Sequence, residues 1–314
     1  MGQEGRQGDL NSESSPEPEQ GHPAKGLQDI EVPQELTFPP QSPLFHALNA
    51  ERYARQALIR AYQNEFDCNL VVMIDQIFPQ SCTLFEELLY RLDPDKDLHV
   101  MLGSPGGDGE TAVRLARAAQ ARCQELVIVV PDRAKSAGTI FCMGAHRILM
   151  GPSSDLGPVD PQFQFNDGRL VSAKDMIAAV EYAEQAVQEK PETYAIHASL
   201  LADVDALMVQ TARSALARTT DLVGEALLSN PDRTPEDVAK ITSAVNRPLI
   251  EAPNSHGAVL DVKAASEASL PAELIDPMSN QWELVLRLWS KYMAGGNRIY
   301  EGIFASHPVG ELNF

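Results

Sequence analysis

Between Leu70 and Met150 the chain alternates four short apolar runs with three helix-length segments, and this alternation leaves few folds open. The runs Leu70–Ile74, Leu98–Leu102, Glu125–Val130 and Arg147–Met150 are apolar with little polar alternation, the pattern of strands covered on both faces. The segments between them, Cys82–Leu92, Gly109–Cys123 and Ala137–Ala145, read as helices. Strand–helix–strand repeats of this length build a parallel sheet with right-handed crossovers, so the fold class is α/β.

The flanks read differently. Residues 1–43 are rich in Gly, Pro, Gln, Ser and Glu and poor in large apolar side chains. Such a segment cannot bury enough surface to offset its ordering entropy, and we expect a disordered tail. Phe45–Tyr62 reads as one amphipathic helix. Beyond Met150, Asn166-Asp167-Gly168 suggests a hairpin turn between Phe163 and Leu170, and helices then dominate. Ser172 is a candidate N-cap for a helix Ala173–Glu189. Pro191 opens a helical stretch that runs, with a break, to about Leu228, and a further helix covers Glu236–Val245. A short strand and helix over Ala258–Ser269 lead to Ile275, and Trp282–Tyr292 carries a stripe of Trp282, Val285, Leu286 and Trp289. That stripe, or the Phe45–Tyr62 helix, is a candidate subunit contact. The expected organisation is a tail over 1–43, a main domain over 44–275, and a C-terminal helix and tail over 276–314.

Charge excludes some partners. The chain carries −19, of which residues 1–43 contribute −6, so the body is acidic too. Neither nucleic acid nor an anionic membrane attracts such a surface. No run approaches the roughly 18 apolar residues of a membrane helix, and the N-terminus lacks a basic-then-apolar secretory pattern. Cys68, Cys82, Cys123 and Cys142 form no CxxC pair and no zinc-binding spacing, as expected of free thiols in a reducing cytoplasm. We expect a cytoplasmic chain without stable membrane insertion, metal or cofactor.

The chemistry is concentrated in two strand-to-helix turns, Ser104-Pro105-Gly106-Gly107 and Lys135-Ser136-Ala137-Gly138-Thr139. Two consecutive glycines cost backbone entropy, which a positive φ or a close approach would explain, as would a tight turn alone. The first run is neither a Walker loop nor a GxGxxG fingerprint, which disfavours a nucleotide or NAD site. A serine at a helix start is ordinarily an N-cap. In adjacent βαβ turns, however, the N–H groups of Gly107 and Ala137 can both donate to one oxyanion beside Ser136.

Three runs in order, Gly103-Ser104-Pro105-Gly106-Gly107, Ala134-Lys135-Ser136-Ala137-Gly138-Thr139 and Ser154-Asp155-Leu156-Gly157-Pro158-Val159-Asp160-Pro161-Gln162, resemble the serine dehydrogenase proteinase family. That family groups with the Clp protease proteolytic subunit, signal peptide peptidase A and the crotonase-like fold. The resemblance covers residues 50–275. It implies a crotonase-like (Clp protease-like) parallel-sheet domain with repeated strand–helix units and a helical C-terminal half. It also implies a serine peptidase acting on peptides or unfolded proteins, with Ser136 as nucleophile and Gly107 and Ala137 as oxyanion hole. No nicotinamide or pyridoxal phosphate site supports the dehydrogenase in the name. Clp-type peptidases place a His some 25 residues after the serine, where this chain has Val159-Asp160-Pro161. In relatives of signal peptide peptidase A a Lys takes that part, and Lys174, at the start of a predicted helix, is the matching choice. A helix N-terminus and burial both favour a neutral amine, the form able to accept the serine proton.

Lys190 and His256 are the alternative bases. His146 reads as structural, and Lys135 as facing solvent or substrate. The third run is expected to line the cleft, with Gly106, Asp155 and Asp160 against the substrate. Related folds assemble as rings or from trimers, so the resemblance implies a homo-oligomer. There is no ATPase motif in this chain. Two rivals stay open: an acyl-CoA enzyme of the crotonase group using the same N–H pair without a nucleophilic serine, and a non-catalytic scaffold.

Overall fold

A computed structural model describes residues 41–165, 167–251 and 258–312. The chain divides into two units, Met1–Ala47, of which only residues 41–47 are described, and Leu48–Phe314. The chain runs through α1 (Pro43–Leu48), α2 (Ala50–Phe66), β1 (Asn69–Ile74), α3 (Ser81–Leu89), β2 (Leu98–Gly103), α4 (Gly109–Gln120), β3 (Leu126–Val130), β4 (Arg133–Ala134), α5 (Ala137–Met143) and β5 (Arg147–Met150). It continues through β6 (Asp155–Leu156), β7 (Gln162–Gln164), β8 (Leu170–Ser172), α6 (Ala173–Glu189), α7 (Tyr194–Leu200), α8 (Ala206–Leu228) and α9 (Pro235–Asn246). Last come α10 (Val262–Glu267), β9 (Ala272–Leu274), α11 (Asn280–Gly295), β10 (Asn297–Glu301) and β11 (Ser306–Glu311).

The second unit is built on a seven-stranded sheet in the order β11-β10-β1-β2-β3-β5-β9, parallel from β1 to β9. Every residue of β1, β2 and β3 is buried, because helices cover both faces. Alternate side chains divide between the faces. Val71 and Met73 join Val100, Leu102, Ile128 and Val130 in the cluster that takes in α3, α4, α5 and α8. Leu70, Val72 and Ile74 point the other way and pack with Ile59 and Tyr62 of α2 and with Val285, Leu288 and Trp289 of α11. The mostly parallel α/β architecture and the helical second half are as the alternation of elements predicts. The expected hairpin is present as β7 and β8, with Phe163 opposite Val171, although Asn166 lies outside the described residues.

Several expectations need correction. The helix expected over Phe45–Tyr62 is two helices, α1 and α2, separated at Asn49 (φ −106°, ψ 8°). The stripe of Trp282, Val285 and Trp289 is not a subunit contact, because the chain's own sheet covers it. A Cβ at Gly103 would lie 2.6 Å from the Trp289 ring, and one at Gly151 would lie 2.1 Å from Trp282. Leu286 points away from that stripe and is exposed. After α11 the chain forms a hairpin, β10 and β11, which pairs antiparallel with β1 through Val72 and Glu301. Fully buried Glu301 fixes it: Arg55 donates to both carboxylate oxygens at 2.7 and 3.1 Å, and Tyr292 Oη donates to Oε2 at 2.5 Å.

Candidate active site

Because β2 and β3 are parallel neighbours, the turns that follow them lie side by side. Ser104 and Ala134 form a parallel bridge, in which Ser104 N–H donates to the Arg133 carbonyl (3.0 Å) and Lys135 N–H to that of Ser104 (2.9 Å). Gly106 and Gly107 have φ of +118° and +134°, a region that L side chains rarely adopt. Space is lacking as well. A Cβ at Gly106 would lie 2.8 Å from Ser136 Cβ, and one at Gly107 would lie 2.1 Å from the Ile77 carbonyl oxygen. Ile77 N–H donates to Gly106 O and Asp108 N–H to Ile77 O, both at 2.8 Å, so the glycine turn is held as a short strand-like bridge.

Ser136 occupies φ 49°, ψ −115° at the start of α5 and makes no capping hydrogen bond through its side chain. The ordinary reading of a serine at this place, an N-cap, therefore does not hold. Its conformation is a strained one for a non-glycine residue, sustained only where the surroundings over-determine it. They do so here. Ser136 N–H donates to Pro158 O at 3.1 Å, Gly138 N–H to Lys135 O at 2.8 Å, and Ile140 N–H to Ser136 O at 3.0 Å. Thr139 Oγ1 lies 2.8 Å from Ala134 O and 2.9 Å from Gly157 O, tying the helix start to both flanking segments. Among the described residues, the N–H groups of Gly107 and Ala137 have no hydrogen-bond acceptor.

Lys135 does not face solvent. Its ammonium lies 2.6 Å from Asp155 Oδ1 and donates to Ala258 O at 3.2 Å. The side chain crosses Gly157, where a Cβ would sit 2.1 Å from Lys135 Cδ. Asp155 is thereby engaged within the protein, and Asp160 is only 1% exposed. His146 is structural, as its place in the sequence suggests: Nδ1 accepts the Leu126 N–H at 2.9 Å, and Nε2 lies 3.5 Å from Asp232. Arg233, which sequence reasoning missed, donates to the carbonyls of Met143 and Ala145 at the C-terminal end of α5. Its partners lie 90 and 88 residues away in sequence, so nothing in its own segment signals them.

Lys174 is in the first turn of α6, half-buried, with Nζ 3.5 Å from Glu251 O. It lines a cavity of about 810 Å³ together with Leu216, Thr220, Thr242, Asn246 and Ile250, but not Ser136. One segment joins the two residues: Pro158 O accepts from Ser136 N–H, and Pro161 O accepts from Ala173 N–H at 2.8 Å. Three residues of extended chain reach at most about 10 Å, and the two hydrogen bonds add 3.1 and 2.8 Å, which bounds the separation between the Ser136 turn and the start of α6 at roughly 16 Å. Lys190 follows the last residue of α6, and at 1.5 Å per residue it lies roughly 24 Å along the helix from Lys174. His256 lies outside the described residues.

Residues 85–190 match the family described as ClpP-like SDH-type serine proteinase. The matched span holds all three motifs and every candidate site residue from Gly106 to Lys174. It bears out the resemblance read from those motifs and points to a serine proteinase. An uncharacterized protein of Methanocaldococcus jannaschii is 27% identical over 237 residues, 70% of this chain and 73% of that protein. A second from the same organism is 26% identical over 121 residues, 34% of this chain and 41% of its own length. Among solved structures, a mutant of the 1510-N membrane-bound stomatin-specific protease aligns with TM-score 0.30 at 21% identity, covering 38% of this chain and 61% of that one. Another mutant of that protease, in complex with a substrate peptide, aligns with TM-score 0.42 at 13% identity, covering 78% and 88%. Among the described residues no helix is long and apolar enough to cross a membrane.

Proposed function

We propose that this chain hydrolyses peptides or unfolded proteins with Ser136 as nucleophile, the N–H groups of Gly107 and Ala137 as oxyanion hole, and Lys174 as general base. The observation that carries the reading is the conformation of Ser136. A strained serine at the carboxyl end of a parallel strand, lacking a capping role and faced by a glycine with no room for a side chain, suits a nucleophile approached by a substrate backbone.

In this reading Ser136 Oγ bonds to the substrate carbonyl carbon while its proton passes to the neutral amine of Lys174. The resulting oxyanion takes the two N–H donors, whose removal singly costs roughly 10²–10³ in rate in such sites. The protonated lysine then gives its proton to the leaving amine as the C–N bond breaks. Water, deprotonated by Lys174, cleaves the acyl ester and restores the serine hydroxyl. Gly106 leaves the approach to Ser136 open. We assign Asp155 and Asp160 to supporting the cleft wall rather than touching substrate, since one is paired to Lys135 and the other is buried. No cofactor is needed for these steps.

We place the chain in the cytoplasm as a homo-oligomer. Exposed Tyr182, Tyr194, Ile196, Leu200 and Leu207 on α6, α7 and α8 supply apolar surface of the kind subunits bury. Light scattering tests this, and a monomer at micromolar concentration counts against it.

The deciding experiment for the reaction is labelling with a fluorophosphonate, followed by mass spectrometry. An adduct on Ser136, lost in Ser136→Ala, supports the reading. No adduct on folded protein would return the chain to the scaffold alternative. Loss of hydrolysis in His256→Ala but not in Lys174→Ala would move the general base to the histidine.

A further inference from the structure

The cation adjacent to the candidate nucleophile is spent inside the protein. The Lys135 and Asp155 side chains are only 13% and 19% exposed, and their charges meet at 2.6 Å. The partner lies on a separate strand. Asp155 belongs to β6, which pairs in parallel with β4, Arg133 opposite Asp155 and Ala134 opposite Leu156. Leu156 in turn exchanges both backbone hydrogen bonds with Leu260 at 2.9 Å. The Lys135 side chain therefore spans three segments: its own turn, β6, and the chain at Ala258, whose carbonyl it also reaches. Gly157 makes this path possible, since any side chain there would occupy the space of the lysine methylenes.

The backbone around Ser136 needs such a tie. Positive φ at a serine is maintained only when neighbouring groups leave no relaxed alternative. The Pro158 and Lys135 carbonyls fix the backbone on either side of Ser136. The ion pair adds a side-chain tie between the turn and β6, beside the backbone bonds of the small β4–β6 ladder.

We infer that Lys135, through Asp155 and across Gly157, is a positioning residue that holds Ser136 in its strained conformation. The inference rests on the reading of Ser136 as nucleophile only for its kinetic consequence, not for its structural one.

The test compares the parent with Lys135→Met/Asp155→Leu and, separately, Gly157→Ala. The first replaces the pair by apolar side chains, which commonly preserves stability. The second leaves both charges present and evicts the lysine from its path. Each is assayed for thermal unfolding, for kcat and KM on a peptide, and for the rate of fluorophosphonate labelling at Ser136. A positioning role predicts that kcat and labelling fall ~10-fold or more in both folded variants, with KM within about twofold. A purely structural role moves the unfolding temperature without that split. Parent-like kcat in either folded variant overturns the inference. Should the parent neither label nor hydrolyse peptide, the proposed function fails on its own, and crystal structures of the variants decide the remaining question. Ser136 kept at positive φ in both would overturn the positioning role, and its return to negative φ would sustain it.

Discussion

Gly107→Ala is the change whose consequences the geometry defines most closely. The new Cβ would be 2.1 Å from Ile77 O and 2.8 Å from Ile77 N, atoms that hold the hydrogen bonds to Asp108 and Gly106. Keeping the turn in place would break both bonds, at about 0.5–1.5 kcal/mol each. It would also hold alanine at φ +134°, which costs a further ~1–3 kcal/mol. The total, roughly 2–6 kcal/mol, is a large part of a stability of about 5–15 kcal/mol. The turn answers the overlap by swinging away from Ile77, which gives up those same two bonds, relieves part of the φ strain and takes the Gly107 N–H with it. Stability then falls toward the lower end of that range, while fluorophosphonate labelling and peptide kcat fall about 10²–10³-fold, as for removal of one oxyanion donor. Gly168→Ala is the control. Its φ is +86° but nothing lies within 4 Å of the added Cβ, so only backbone strain of about 1 kcal/mol is expected, with activity unchanged. A Gly107→Ala protein that folds and labels at the parent rate would refute the argument, because the oxyanion would then not depend on this N–H.

Ser136→Ala should abolish peptide hydrolysis with the unfolding temperature unchanged or higher, and Lys174→Ala should cost nearly as much, because groups acting as one unit are not additive; a folded Lys174→Ala protein with parent-like kcat would remove the lysine as base. Burial pushes His99 down to about 4, and its Nδ1 faces Tyr62 Oη at 2.8 Å, whose oxygen already accepts from Gln281. The unfolded chain therefore takes up the proton first, so stability is lost as pH falls from about 6.5 toward 4, by up to roughly 3 kcal/mol. His99→Gln should flatten urea midpoints measured across that window, and an unchanged slope would remove His99 as their cause. Arg55→Met leaves the buried Glu301 without its cation and should cost about 3–5 kcal/mol in chemical denaturation, largely recovered in Arg55→Met/Glu301→Leu.

The parallel strands were legible because burial on both faces leaves a signature in a single segment: β1, β2 and β3 are almost wholly apolar. The hairpin of β10 and β11 leaves none. Its stability comes from distant partners, Arg55 on Glu301, Ser81 on Tyr300 and Asp75 on Arg298, so its own sequence reads as polar tail. The apolar stripe of α11 was visible, but the surface it covers was not, since Gly103 and Gly151, which admit the two tryptophans, are some 130 or more residues away in sequence.

At the site the same division holds. The glycine pair announces its own strain, whereas the positive φ of Ser136 is imposed by neighbours and has no mark in the residue. Its nearest sequence signal is the small size of Gly138, where a Cβ would come within 3.2 Å of Ser104 Cβ. Side chains of adjacent residues do diverge, and Lys135 does point away from Ser136, but the space it enters is filled by β6 rather than by water. An expectation of solvent exposure fails wherever a second strand occupies the far side of a turn. In the sequence, only Gly157 hints at this, as a residue without a side chain in the segment that Lys135 must cross.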